Sequence, residues 1–350
     1  MENGIEAGSG KLEAGSTNLR AYRLPPPASR QDKKLIGHQP IIGLLERSLE
    51  RERLAHAYLL TGPKSVGKAT LARLFVQRLL PGDTPLETHP DYIHIKRNLD
   101  PKTGKTRAII ALDQIYEIRG KLSRRALMGG WKACVIEGAE HLNREASNAL
   151  LKTLEEPQPR TLIMLTAPDT DSVMPTILSR CQTLALGRVP TAEIADALTG
   201  RGVDAHQAAT IARLADGCPG RAIGYAEEAG ALIRMKELRA EILRMAESDF
   251  AERWSAVEKF LPKKHSFQEA GINAHEFLDL AAELLRDALL VRHGHAAGII
   301  HADVETSIRG IANDTSKDLT AAVAELYIAR RRLAENVGPR TVLQSFVLSL

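Results

Sequence analysis

Aromatic residues make up only 4% of this 350-residue sequence, with two tryptophans. That scarcity argues against a surface built to stack nucleic-acid bases. There are three cysteines, Cys134, Cys181 and Cys218, odd in number and far apart. They cannot form a disulfide scaffold and offer no paired thiols for zinc, so a reducing, cytoplasmic setting is expected. One sign of charge does not dominate either: 47 Lys plus Arg face 43 Asp plus Glu, for a net charge of +4. A polycation that grips DNA through its overall field is thereby excluded, and contact with nucleic acid has to come from local patches or from partners. No apolar run approaches the ~18–20 residues that span a bilayer, so no membrane partner is expected. The opening stretch MENGIEAGSGKLEAGST contains acidic residues and no apolar centre, unlike a signal peptide.

What remains is an ordinary globular composition, 44% hydrophobic and 26% charged. The length suggests about two or three domains. Residues 1–30, which include the stiff Pro25-Pro26-Pro27 run, are expected to form a mobile tail. From Lys34 the pattern becomes regular. Ile41, Leu44, Leu45 and Leu49 have helical spacing. Ala57-Tyr58-Leu59-Leu60 reads as a buried parallel strand running into Thr61-Gly62-Pro63, and a helix starts near Lys68 with Leu71, Leu74, Phe75 and Leu79 on one face. Two short strands are expected at Ile93–Ile95 and Ala108–Ile110, around a Pro/Gly turn. Asp113 is placed to cap a helix carrying Ile115, Ile118 and Leu122. Ala133–Ile136 and Thr161–Thr166 are further buried strands, with a helix from Asn143 to Leu154 between them. Short buried strands alternating with helices imply an α/β domain, a parallel sheet with helices on both faces. After about Arg188 the strand signals fade, and helices are expected over 191–198, 206–215, 219–228, 231–246, 275–292 and 319–336. The chain thus divides into an α/β domain over 31–187, a small helical domain over 188–248 and an all-α C-terminal domain over 249–350.

Gly62-Pro63-Lys64-Ser65-Val66-Gly67-Lys68-Ala69-Thr70 comes within one residue of the phosphate-binding loop G-x-x-x-x-G-K-[ST]. Its glycines let backbone N–H groups form an anion nest, the next helix aims its N-terminus there, and Lys68 would neutralise phosphate charge. The consensus hydroxyl after the lysine ligates Mg²⁺, and here that position is Ala69, which cannot. Thr70 carries a hydroxyl, but one residue further round the helix it points about 100° away. A hydrolysing site also needs a carboxylate at the end of a neighbouring strand for Mg²⁺ and usually a second beside it to activate water. Glu137 stands at that strand end, either as a long substitute or as a solvated charge. Gly138 follows where the base would be, and Glu140 is too far along to replace it. Gly62, Gly67, Lys68 and Thr70 therefore form a degenerate P-loop. ATP binding stays open, and Mg²⁺-dependent hydrolysis is not expected.

Three ordered blocks carry a resemblance. They are Leu54-Ala55-His56-Ala57-Tyr58-Leu59-Leu60-Thr61-Gly62-Pro63, Asn148-Ala149-Leu150-Leu151-Lys152-Thr153-Leu154-Glu155-Glu156-Pro157, and Pro175-Thr176-Ile177-Leu178-Ser179-Arg180-Cys181-Gln182. From Ile36 to Leu186 the chain resembles the AAA+ core of bacterial clamp loader subunits, most closely the delta prime branch of that family. Asn336-Val337-Gly338-Pro339-Arg340 resembles its C-terminal collar more weakly. The resemblance implies that the small helical domain is a lid and the C-terminal domain an oligomerising collar. It implies that Arg180 is a finger, reaching in trans to the phosphates held by a neighbour's P-loop. Arginine fingers are worth about 10³–10⁵ in rate in other nucleotidases. Read locally, an arginine at a helix end is most often a surface charge or a C-cap interaction. Thr166 falls at a γ-phosphate sensor position and Arg221 at that of a second sensor. Many relatives carry a four-cysteine zinc insertion. Residues 81–90 contain no cysteine here, so no zinc is expected.

The implied function is a non-hydrolysing subunit assembled with gamma/tau and delta subunits, helping to load a sliding clamp onto primed DNA. One alternative is an active AAA+ ATPase of recombination or helicase loading; another is a helical adaptor on a P-loop scaffold. His293, His295 and His301 have mixed spacing in a Gly-containing loop and are expected to be solvated. Arg330-Arg331-Arg332 is expected on a solvated, subunit-facing or DNA-facing helix surface. Cys134 is expected to behave as a small core hydrophobe.

Overall fold

The computed structural model describes residues 35–350 except 83, 99–106, 108, 263, 316 and 317. The expected N-terminal tail and the turn at 100–105 lie outside the described residues.

The first half alternates strands and helices: α1 (Gln39–Glu50), β1 (Ala57–Thr61), α2 (Lys68–Leu79), β2 (Tyr92–Ile95), α3 (Leu112–Leu122), β3 (Lys132–Glu137), α4 (Arg144–Glu155), β4 (Thr161–Ala167), α5 (Pro175–Leu178) and β5 (Gln182–Ala185). The strands form one sheet in the order β2-β3-β4-β1-β5, all parallel. Alternation along the strands divides their side chains between two cores. Leu59, Ile93, Cys134, Ile136, Ile163 and Leu165 pack with α3 and α4 on one face. Tyr58, Leu60, Val135, Leu162 and Met164 pack with α1 and α2 on the other. Burial on both faces explains why the central strands read as continuous apolar runs.

β5 is absent from the sequence expectations. Gln182, Thr183 and Ala185 are exposed and only Leu184 is buried, so an edge strand of four residues carries little apolar signal. It exists because Tyr58 to Thr61 offer it a pairing partner. The strand expected at 108–110 does not form among the described residues; Ile110 makes a single bridge to Leu142. Asp113 is not the cap of α3. It sits in the first turn, while Gln114 accepts from the Ala111 N–H at 3.1 Å and donates to the Lys96 carbonyl at 3.0 Å. Asn143 does cap α4, accepting from the Ala146 N–H at 2.8 Å.

The second half is helical: α6 (Thr191–Thr199), α7 (Ala205–Leu214), α8 (Pro219–Glu227), α9 (Ala231–Glu247), α10 (Phe250–Phe260), α11 (Phe267–Arg292), α12 (Glu305–Asn313), α13 (Leu319–Ala334) and α14 (Pro339–Val347). α11 starts eight residues before the expected position. Ser266 caps it through a reciprocal bond pair with Glu269, a signal that precedes the apolar run. Ile194, Leu198, Ile211 and Ala222 form a small buried cluster, which Ile36 and Val189 join. Phe277, Leu278, Leu343 and Phe346 lie in a larger one built by α9–α14. No helix among the described residues is long and apolar enough to cross a membrane.

Leu59 is fully buried on β1, the strand that delivers the phosphate loop. Leu59→Ala is expected to lower stability by about 2–5 kcal/mol. The denaturant midpoint of the full chain, followed by circular dichroism, measures the loss.

Candidate nucleotide and arginine site

The carboxyl end of β1 turns into residues 62–67 and then into α2, so the loop and the α2 N-terminus share one edge of the sheet. Lys68 does not extend into an open site. Its Nζ donates to the loop's own carbonyls at Gly62 and at Pro63 (2.8 Å). Burial pushes this ammonium below its ordinary pKa, and the Glu140 carboxylate opposes the shift. His38 Nε2 donates to the Val66 carbonyl at 2.9 Å, and the Gly220 N–H of α8 donates to the Ser65 carbonyl at 2.8 Å. The loop is thus held from both flanks.

The neighbouring strand ends repeat this inward pairing. Glu137 is half-buried and accepts from His94 Nε2 on β2 at 2.8 Å, so it is not a freely solvated charge. That hydrogen bond holds its carboxyl below the ordinary 4.5. Gly138 turns the chain with φ +84°, and a Cβ there would come within 2.8 Å of the His141 ring. Its geometry, as well as its missing carboxylate, keeps a base from this position. Thr166, buried at the end of β4, accepts from the Gly138 N–H at 3.1 Å. Glu140, expected to lie too far along to replace the base, still bears on Lys68. On the short turn after β3 it is the acid whose field reaches Lys68, and one of its oxygens is buried without a hydrogen-bond partner. Nothing in linear spacing marks it, because the turn folds it back.

Arg180 follows the one-turn helix α5 and precedes β5. It pairs with Glu155 of α4 at 2.6 Å and donates to the Thr176 carbonyl at 2.9 Å and to Ser179 Oγ at 3.1 Å. Gln182 is in register with Tyr58, so Arg180 lies beside the amino end of β1 while the P-loop lies past its carboxyl end. About six residues of strand separate them, roughly 20 Å at ~3.3 Å per residue. Arg180 and the P-loop of one molecule are not brought together.

Three comparisons place this geometry. Residues 37–190 match the family described as DNA polymerase III, delta subunit. DNA polymerase III subunit delta' of Bacillus subtilis is 28% identical over 323 residues, covering 89% of this chain and 95% of that protein. Its Escherichia coli counterpart is 30% identical over 254 residues, 72% of this chain and 70% of that protein. The chain belongs to the family of DNA polymerase III delta' subunits. A gamma subunit-related protein from Thermotoga maritima has a TM-score of 0.50 at 17% identity, covering 88% of this chain and 97% of that one. That likeness speaks to the fold alone, a parallel α/β domain followed by helices.

Within this delta' family member, Arg221 is not aimed at the P-loop. It pairs with Glu283 of α11. His301 corrects the expectation of three solvated histidines: it is 1% exposed and enclosed by charged groups, while His293 and His295 are exposed. Cys134 is fully buried, which pushes its thiol pKa far up. Arg330 pairs with Asp279 at 2.7 Å and Arg331 with Glu335 at 2.9 Å, both in exposed positions. Among the described residues no group of three or more His, Cys, Asp or Glu is arranged to hold a metal ion.

The depressed Glu137 carboxyl stabilises the fold above its ordinary pKa, and that contribution is lost as pH falls through the ordinary value and then the lower folded one. His94→Ala is expected to shrink this part of the acid-limb loss. The melting temperature of the variant, followed from about pH 6 to about pH 3, should fall less steeply than that of the wild type.

Proposed function

We propose that this chain is a non-hydrolysing clamp loader subunit in DNA replication, which lends Arg180 to the ATP site of a neighbouring subunit. The observation that carries the reading is the separation within the sheet. The arginine stands at the amino end of β5, away from its own P-loop, on a base of Glu155, Thr176 and Ser179. A guanidinium there can meet a phosphate only across a subunit boundary. Ala69 in place of the metal-ligating hydroxyl, Gly138 in place of the base and Lys68 turned onto its own loop support the other half. On this reading the partners are tau/gamma and delta subunits, a sliding clamp, and primed DNA held by the assembly. The division into AAA+ domain, lid and collar supplies the arm that sets Arg180 at the neighbour's site.

Arg180→Ala in a complex reconstituted with tau and delta subunits is expected to lower ATPase and clamp loading by about tenfold or more. Assembly, read by size-exclusion chromatography, should be intact. An unchanged clamp-loading rate would sink the assignment.

One observation favours the rival, an ATPase in its own right: the partly unpaired Glu140 carboxylate in the field of Lys68. Titrating the isolated chain with Mg·ATP in a calorimeter, with product assayed afterwards, separates the two. No Mg²⁺-dependent turnover is expected, and turnover abolished by Glu140→Gln would establish the rival.

A further inference from the structure

A cluster of charged side chains lies where α8 meets the C-terminal helices. Arg221, in the first turn of α8, pairs with Glu283 of α11. The other oxygen of Glu283 lies 3.3 Å from His301 Nε2. His301 Nδ1 accepts from Arg239 of α9 at 3.3 Å, and Arg239 forks onto both oxygens of Asp303 at 2.7 and 2.6 Å.

The cluster is interior. His301 is 1% exposed, Arg239 4%, and the Glu283 side chain 17%. Asp287, fully buried, accepts from the Ile300 and His301 N–H groups and so fixes the backbone that carries the imidazole. Arg188, just after β5, binds both the side chain and the carbonyl of Asp216, and Asp216 lies in the field of Arg221, Arg286 and Glu283. Exposed ion pairs do little to hold a geometry. A largely buried one does, because losing either partner strands the other charge away from water.

α8 therefore has two anchors within two residues. Gly220 gives its N–H to the Ser65 carbonyl of the P-loop at 2.8 Å, and a Cβ at Gly220 would come within 2.8 Å of that same oxygen, so the two backbones touch. Arg221, the next residue, reaches the opposite way to α11.

We propose that Glu283 is a positioning residue: through Arg221 it ties the lid helix α8, seated on the P-loop, to the C-terminal helices. The lid helix is thereby held on one side by the Ser65 carbonyl and on the other by the Glu283 carboxylate. The idea rests on the reading that this site does not turn over ATP, since the arginine that could sense a phosphate is committed to α11.

The test is hydrogen exchange on the full-length chain without nucleotide, comparing wild type with Glu283→Gln, Arg221→Gln, Arg221→Lys and the Glu283→Gln/Arg221→Gln double variant. Amides of 219–227 and 62–68 are expected to exchange about tenfold faster in each Gln variant. The double variant should be no faster than either single, Arg221→Lys should retain most of the protection, and β4 should be unaffected. Unchanged protection of 219–227 in Arg221→Gln overturns the proposal, and so does strict additivity in the double variant. If Glu283→Gln loosens all of α11–α14, Arg221→Gln decides alone, because it removes the charge from the lid side. ATP turnover assayed on the same samples bears separately on the catalytic reading: turnover by wild type would end that reading and leave the exchange result standing.

Discussion

Parallel pairing of five strands is the constraint on which the rest of this molecule depends. It sends every strand's carboxyl end to one edge of the sheet and every amino end to the other. β1 delivers the P-loop to the first edge, and β3 and β4 bring Glu137 and Thr166 to the same place. β5, paired with β1 in the same direction, leaves Arg180 near the second. Burial of the sheet on both faces makes this arrangement rigid, since a register slip would exchange one apolar core for the other.

Within that frame, polar and charged groups at the loop and the neighbouring strand ends are paired within the protein. Lys68 bonds the loop carbonyls, Glu137 bonds His94, Thr166 bonds the Gly138 turn, and Arg221 pairs with Glu283. Each is a local choice, and together they knit the loop, the strand ends and α8 into one joint. Arg180 differs in kind. Its side chain is about one-third exposed, and its partners Glu155, Thr176 and Ser179 all lie on the same edge of the α/β domain. A carboxylate beside a partly exposed guanidinium orients it at little energetic cost.

The helical half extends the same joint. α8 meets the P-loop by backbone contact at Gly220 and meets α11 by charge at Arg221. α9 carries Arg239 into the buried cluster while packing Ile242 and Leu243 among the C-terminal helices. The small helical cluster is thereby held between two larger ones.

Much was legible in the residues alone, for physical reasons that operate locally. Doubly buried strands show as apolar runs, Asn143 announces α4, and Gly62 to Lys68 announce a phosphate loop. The missing hydroxyl at Ala69 and missing acid at Gly138 are chemical facts that need no coordinates. What the residues alone determined is the fold class and the family resemblance, because each rests on side-chain chemistry and short-range periodicity. Only the tertiary structure decided that β5 is a strand, that His301 is buried, and that Arg221 belongs to α11. Those outcomes depend on partners far away along the chain, such as Tyr58 for Gln182, and Glu283, 62 positions on, for Arg221. Pairings over such distances leave no periodic trace, since they are set by how whole elements pack.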